Sequence, residues 1–134
     1  MPEIPTAPFT AYIGGVIDGS GDDWVRLSVQ TGPHHADRWG RVHTGVLTSV
    51  MDSVIGIALG RARNKAGNTG PHATIEMSTS FYAVATPGDH VVAEGRVTRI
   101  AEHFAFGEVE ARRRCDDELL AKARLTFAIP GRRD

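Results

Sequence analysis

The sequence predicts an α+β domain in which an antiparallel sheet wraps around one long central helix. Three observations carry this reading. A single strong helical segment runs from Thr44 to about Asn64. Alternation of apolar and polar residues with a period of two marks the chain after it, and shorter strand-like stretches precede it. At 134 residues the chain has the length of one domain and can bury a substantial core. Its composition, 41% hydrophobic and 23% charged, is that of an ordinary globular protein. A net charge of -1 lacks the basic surplus of a nucleic-acid binder. The single cysteine, Cys115, excludes an intrachain disulfide and fits a reducing, cytoplasmic setting. Pro2, Pro5 and Pro8 interrupt the start, so no signal peptide is expected.

The elements follow in order. Residues 1–8 are expected as an extended arm, 9–130 as the domain and 131–134 as a short tail, because proline fixes φ and removes a donor near the start. Phe9–Ile17 suits a strand or a short helix, and Asp18–Asp23 a turn by composition. Trp24–Val29 alternates as a half-buried strand, with Val25, Leu27 and Val29 on one face. Thr31–Val42 is a loop, and Gly67–Pro71 closes the helix with turn chemistry. Beyond it, Ile75, Met77, Thr79 and Phe81 should face one way, and Thr74, Glu76, Ser78 and Ser80 the other. Strands over Val91–Ile100 and Phe104–Arg114 come next. Glu118–Ile129 then alternates most cleanly, with Leu119, Ala121, Ala123, Leu125, Phe127 and Ile129 inward. Phe104, Phe106 and Leu120 would form an exposed apolar patch that association with further copies covers.

Asp52 is the only charged residue of Thr44–Gly60, whose apolar residues cover all sides of the helix. A helix apolar all round is buried, and an unpaired buried carboxylate is costly. Asp52 therefore either sits at an edge or pairs with Arg41 or Arg61, or it serves as a general base or nucleophile in a cleft. The run is short for a membrane span and contains three glycines.

The segment from His35 to Asp52, HADRWGRVHTGVLTSVMD, resembles the signature of hotdog-fold acyl-CoA thioesterases of the phenylacetate-pathway (PaaI-like) type. In that family a polar residue and a glycine lead to His-Gly-Gly, and a helix Asp follows nine residues after the His. Here His43 and Asp52 are nine apart and Gly40 precedes His43 by three. Thr74 matches a Ser or Thr of the next strand, Pro87-Gly88 a following turn, and Arg99 an Arg near the end of the strand after it. The resemblance covers residues 9–129.

It implies hydrolysis of an acyl-CoA thioester by a homodimer or homotetramer with active sites between subunits. Asp52 would be the base or nucleophile and the Thr44 N–H the oxyanion donor, a role suited to an unsatisfied first-turn amide. Thr74 would orient the water or the carboxylate, and His43 would shape the turn. Asp37, Gly45 and Arg99 would contact substrate. Asp52 and Thr74 would come from one chain, and Asp37, His43 and Thr44 from its neighbour. Thr44 stands where the family has its first Gly, so its backbone conformation must be ordinary. Asp37 stands where Asn is common, and an ionised Asp can only accept hydrogen bonds. No metal, redox cofactor, nucleic acid or membrane is implied; coenzyme A enters only as part of the substrate. A non-catalytic acyl-CoA-binding protein on the same fold, or an enoyl-CoA hydratase, is the alternative.

Other patterns point to less. His34-His35 with His43 lacks a Cys or Glu to complete a zinc site, and no nucleophile-elbow or phosphate-loop pattern occurs. Asp116-Asp117 beside Cys115 disfavours a thiolate. Arg112-Arg113-Arg114 is either a solvated strand end or a contact to coenzyme A phosphates.

Overall fold

The computed structural model describes residues 6–68 and 70–130. Its strands are β1 (Gly15–Ser20), β2 (Trp24–Gln30), β3 (Ala73–Phe81), β4 (His90–Ile100), β5 (Phe104–Arg113) and β6 (Leu119–Ala128). They form one sheet in the order β1-β2-β4-β5-β6-β3, with every neighbouring pair antiparallel. The helix α2 (Thr44–Lys65) enters between β2 and β3 and lies across the sheet, and the short helix α1 (Pro8–Tyr12) precedes β1. This is the predicted helix-in-a-sheet architecture.

The helix is seated by bare backbone on the sheet. Leu47, Val50, Met51, Val54, Ile55, Ala58 and Leu59 are each 3% exposed or less and face the strands. Where they press closest, β4 and β5 carry Gly95 and Gly107. A Cβ on Gly95 would stand 2.6 Å from Ile55 Cδ1 and 2.7 Å from Val54 Cγ1, and one on Gly107 would stand 2.6 Å from Ile55 Cγ2. The other face of α2, with Ser49, Asp52, Ser53, Gly56, Ile57 and Gly60, is only half-buried. Burial all round is thus corrected to burial on the sheet side. By length and composition α2 could cross a membrane, but its apolar side forms the core of this domain. Gly56 and Gly60 lie in the helix interior, where glycine is about 1 kcal/mol less favourable than alanine.

Several expectations change at the level of single residues. Pro8 belongs to α1, where a first-turn proline loses no bond, so the segment Phe9–Ile17 contains both a helix end and a strand start. Of the rest of the expected arm, residues 6 and 7 have no regular structure, and residues 1–5, like the tail, residues 131–134, fall outside the described residues. Strand β1 runs through Asp18–Ser20, because Gly19 and Ser20 still pair with Arg26 and Val25.

A bulge at Ile75 alters the facing in β3. Thr74 pairs with Phe127 and Glu76 with Thr126, so Thr74 faces the helix with Met77, not outward with Glu76 and Ser78. An extra residue in one strand re-aims the side chains beyond it. A second irregularity pairs Ala111 with Ala121 but Arg112 with Leu119, and the residue skipped, Leu120, is fully buried. Leu119 is half-buried. Leu120 therefore leaves the expected surface patch, while Phe104 (46%) and Phe106 (39%) remain exposed.

Overpacking the helix seat should destabilise the fold. Gly107→Ala is expected to lower unfolding stability by about 1–3 kcal/mol, since Ile55 must move for a Cβ to fit. Denaturant titration checks this, and an unchanged midpoint would mean that the seat tolerates a methyl group.

Candidate active site

The bulge at Ile75 delivers Thr74 to α2, where its Oγ1 donates to Asp52 Oδ1 at 2.6 Å. Asp52 forms no ion pair with Arg41 or Arg61; Arg41 is occupied by Asp37, and Arg61 donates from Nε to the Gly21 carbonyl at 3.3 Å. Oδ2 of Asp52 makes no hydrogen bond among the described residues, so one carboxylate oxygen is fixed and the other is available. Both residues border a cavity of about 390 Å³ that also touches Ser53, Gly56, His72 and Phe127.

The second group of predicted residues gathers at the N-terminus of α2. His43 is the N-cap, and its Nδ1 accepts from the Gly45 N–H at 2.8 Å. The proton of the ring therefore sits on Nε2 when the imidazole is neutral. Gly45 spends its amide on this cap. The Thr44 N–H, one residue earlier, makes no hydrogen bond within the described residues and is the orphan donor that a helix start leaves. Positive φ among the described non-glycine residues occurs only at Asp117, so the β-branched Thr44 has an ordinary conformation.

Asp37 turns inward on its own loop. Its Oδ1 accepts from the N–H groups of Trp39 (2.8 Å) and Arg41 (3.0 Å), and its Oδ2 pairs with Arg41 Nε at 3.0 Å. Burial acts to raise its pKa, but the Arg41 and Trp39 amides and the Arg41 guanidinium outweigh it and hold the carboxyl below its usual range. Asp37 thereby holds the loop that leads to His43. Both carboxylate oxygens are engaged in this internal pairing.

Other expected contacts lie apart. Arg99 sits on β4 opposite Phe106, beyond a bulge, and hydrogen-bonds to none of Asp52, Thr74 and His43. The arginine run is committed to carboxylates: Arg112 to Glu110, Arg113 to Asp89, Asp116 and Glu118, and Arg114 to Asp18. The run is thus an ion-paired strand end in which Arg112 and Arg114 stay partly exposed. His35 is buried, with Nδ1 accepting from the Gly32 N–H and Nε2 against the Ile13 carbonyl.

Sequence reasoning missed His72. Its Nδ1 faces Arg63 Nη1 at 3.2 Å and its Nε2 faces the Gly56 carbonyl at 3.1 Å. Since Arg63 can only donate and a carbonyl only accept, His72 is neutral with its proton on Nε2. Burial lowers its pKa first, Arg63 lowers it further, and the Gly56 carbonyl and Asp52 act the other way. Arg63 is itself buried near the end of α2, where it donates to the Gly70 and Pro71 carbonyls. One signal was legible: His72 is two residues before Thr74, the spacing of side chains that share a face in extended chain.

Residues 40–120 match the family profile of the thioesterase superfamily. The chain belongs to the thioesterase superfamily. A Pseudomonas aeruginosa relative, PA0474, provisionally named an esterase, is 28% identical over 96 residues, which cover 72% of this chain and 68% of that protein. Two solved structures share the fold. One is the Escherichia coli PaaI protein of the phenylacetic acid degradation operon (15% identity, TM-score 0.81, 93% of this chain and 86% of that one). The other is a hypothetical thioesterase protein from Streptococcus pneumoniae solved with coenzyme A (16% identity, TM-score 0.79, 90% and 89%). The thioesterase superfamily chain thus has the hotdog fold that its sequence resemblance implied.

The state of His72 has a consequence in solution. Its folded pKa lies below the unfolded value of about 6.5. The unfolded chain therefore takes up the proton first, and this contribution to stability is lost as pH falls through that value. Between pH 7 and pH 5, the melting temperature of His72→Gln should fall less steeply than that of the parent. Equal slopes would show that His72 is not held neutral.

Proposed function

We propose that this thioesterase superfamily member hydrolyses an acyl-CoA thioester to free acid and CoA, with Asp52 as the reacting carboxylate. The observation that carries the proposal is the Thr74–Asp52 hydrogen bond of 2.6 Å at the wall of a cavity. With Oδ1 held by Thr74, Oδ2 takes a proton from water as the hydroxide adds to the thioester carbon, or adds to that carbon itself. The first route gives a tetrahedral oxyanion, which collapses by breaking the C–S bond, and the thiolate takes the proton back. The second breaks the C–S bond, expels the CoA thiolate and leaves an anhydride; water then opens it to the Asp52 carboxylate and the free acid, whose proton passes to the thiolate. A backbone N–H aimed at the oxyanion stabilises either addition.

One chain alone does not bring these parts together. Thr44 and Asp52 are eight residues apart on one helix, about 12 Å at 1.5 Å per residue, whereas a reacting carbonyl needs both groups near 3 Å. In this proposal Asp52 and Thr74 come from one chain, and the Thr44 N–H, with His43 and the Asp37-braced loop, from a second copy. Supporting this, β3 is an edge strand that exposes Ile75 (55%) and Phe81 (46%). Unpaired edges with apolar side chains favour pairing with another strand. The assembly proposed is a homodimer or homotetramer, and a cytoplasmic setting fits the single cysteine. The coenzyme A in the Streptococcus pneumoniae structure belongs to that protein, and it makes acyl-CoA the first substrate class to test.

The decisive assay is thiol release from a panel of acyl-CoA thioesters. Asp52→Asn should lower kcat by about 10²-fold or more, the scale of general base catalysis, while keeping the oligomeric mass of the parent. Parental turnover in that variant would remove Asp52 from the reaction. A monomeric parent at micromolar concentration would remove the shared site. A parent that binds acyl-CoA without turnover would make this an acyl-CoA-binding protein on the same fold.

A further inference from the structure

The cavity beside Asp52 is an open groove along α2. It follows one face of α2 from Asp52 past Gly56 and Gly60 to Asn64, twelve residues or about 18 Å of helix. Helix α1 closes one side, because the buried Thr10 donates from Oγ1 to Ser53 Oγ at 3.2 Å. His72 and Phe127 stand edge-to-face on another side, with ring centroids 5.5 Å apart. Its volume of about 390 Å³ lies in the range of small-ligand sites.

Its floor is made by two glycines that the protomer does not otherwise need. Neither Gly56 nor Gly60 has positive φ. A Cβ on Gly56 would meet only His72 Nε2 at 3.9 Å, and one on Gly60 only His72 Cε1 at 3.8 Å. Both are ordinary contacts. This contrasts with Gly95 and Gly107, where a Cβ collides with α2. Alanine would fit at either cavity position and favour the helix, so what the glycines supply is the empty space. That space opens directly from the Thr74–Asp52 pair.

We infer that this cavity is the acyl pocket, and that Gly56 and Gly60 set the size of the acyl group it takes; the inference rests on the hydrolase reading above. The polar groups nearest the carboxylate are already engaged: both His72 nitrogens, the Thr74 hydroxyl and the Thr10 hydroxyl. Ile57 and Phe127 supply apolar surface. Arg61 and Asn64 line only the end away from Asp52; the stretch along Gly56, Ile57 and Gly60 takes an apolar group several carbons long, either a medium straight chain or an aryl-ended chain. An acetyl group would leave most of the cavity unfilled.

The test compares Gly56→Leu and Gly60→Leu with the parent. The readouts are kcat/KM for acetyl-, octanoyl- and phenylacetyl-CoA, and Kd for the same three compounds. In Gly56→Leu the octanoyl-to-acetyl ratio of kcat/KM should fall at least tenfold. Gly60→Leu, farther from Asp52, should affect octanoyl more than phenylacetyl. Gly56→Ala and Gly60→Ala should melt at or above the parental temperature. Unchanged selectivity in both leucine variants overturns the inference. So does a loss of stability or of oligomeric mass in the alanine variants, which would assign the glycines to packing. If the parent turns over no thioester, the hydrolase reading falls separately. The Kd values then decide the pocket: a tenfold shift in selectivity upholds it, and no shift, or no binding by the parent, overturns it.

Discussion

The contact on which the rest of the structure depends is the seat of α2 on Gly95 and Gly107. A β-branched side chain, Ile55, presses against backbone at a distance that no Cβ permits. Because the seat involves named atoms on both sides, it fixes the rotation of the helix as well as its depth. With Ile55 and Val54 turned to the sheet, Asp52, Gly56 and Gly60 are turned away from it. The carboxylate therefore lies at the boundary between core and cavity. It is neither fully desolvated nor free in water, and a single hydroxyl can hold it.

The polar groups around the site fall into two kinds. Some are consumed in building the scaffold. Asp37 braces its loop through Arg41, and His43 caps the helix through the Gly45 amide. Arg63 ties the end of α2 to the turn before β3. Others are left with open valence: Oδ2 of Asp52 and the N–H of Thr44. Chemistry requires groups of the second kind, and the first kind keeps them in place. A donor that is already satisfied cannot stabilise a charge that develops later. The open amide of Thr44 and the spent amide of Gly45 therefore differ in availability although they are neighbours.

Membership of the thioesterase superfamily accounts for the architecture, and the hotdog fold is shared with proteins of low sequence identity. Fold does not by itself assign a reaction. What particularises this chain is local. Threonine stands at the helix start, an internally paired aspartate stands in the loop before it, and a neutral histidine lies beside the carboxylate. None of these disturbs the fold: Asp37 has found partners in its own loop, His72 has found its partners on α2, and Thr44 has an ordinary backbone conformation.

The sequence by itself determined the elements and the family. Strong periodicity is written into single segments, so α2 and the ladder from β3 to β6 were legible. The spacing of His43 and Asp52, through its resemblance to a known family pattern, pointed to the helix as the bearer of a candidate site. Only the tertiary structure decided which side chains meet. Thr74 was expected on the face of Glu76. The bulge at Ile75 turned it to the helix, and a bulge depends on pairing with a distant strand that no local pattern records. Leu120 was expected outward and is buried for the same reason, an irregular pairing between β5 and β6. His72 gained its partners, and with them its neutral state, from Arg63 and Gly56 on a helix that ends seven residues before it. Alternation along a strand is a local property, whereas register, bulges and hydrogen-bond partners belong to pairs of segments. These are settled only when the segments pack.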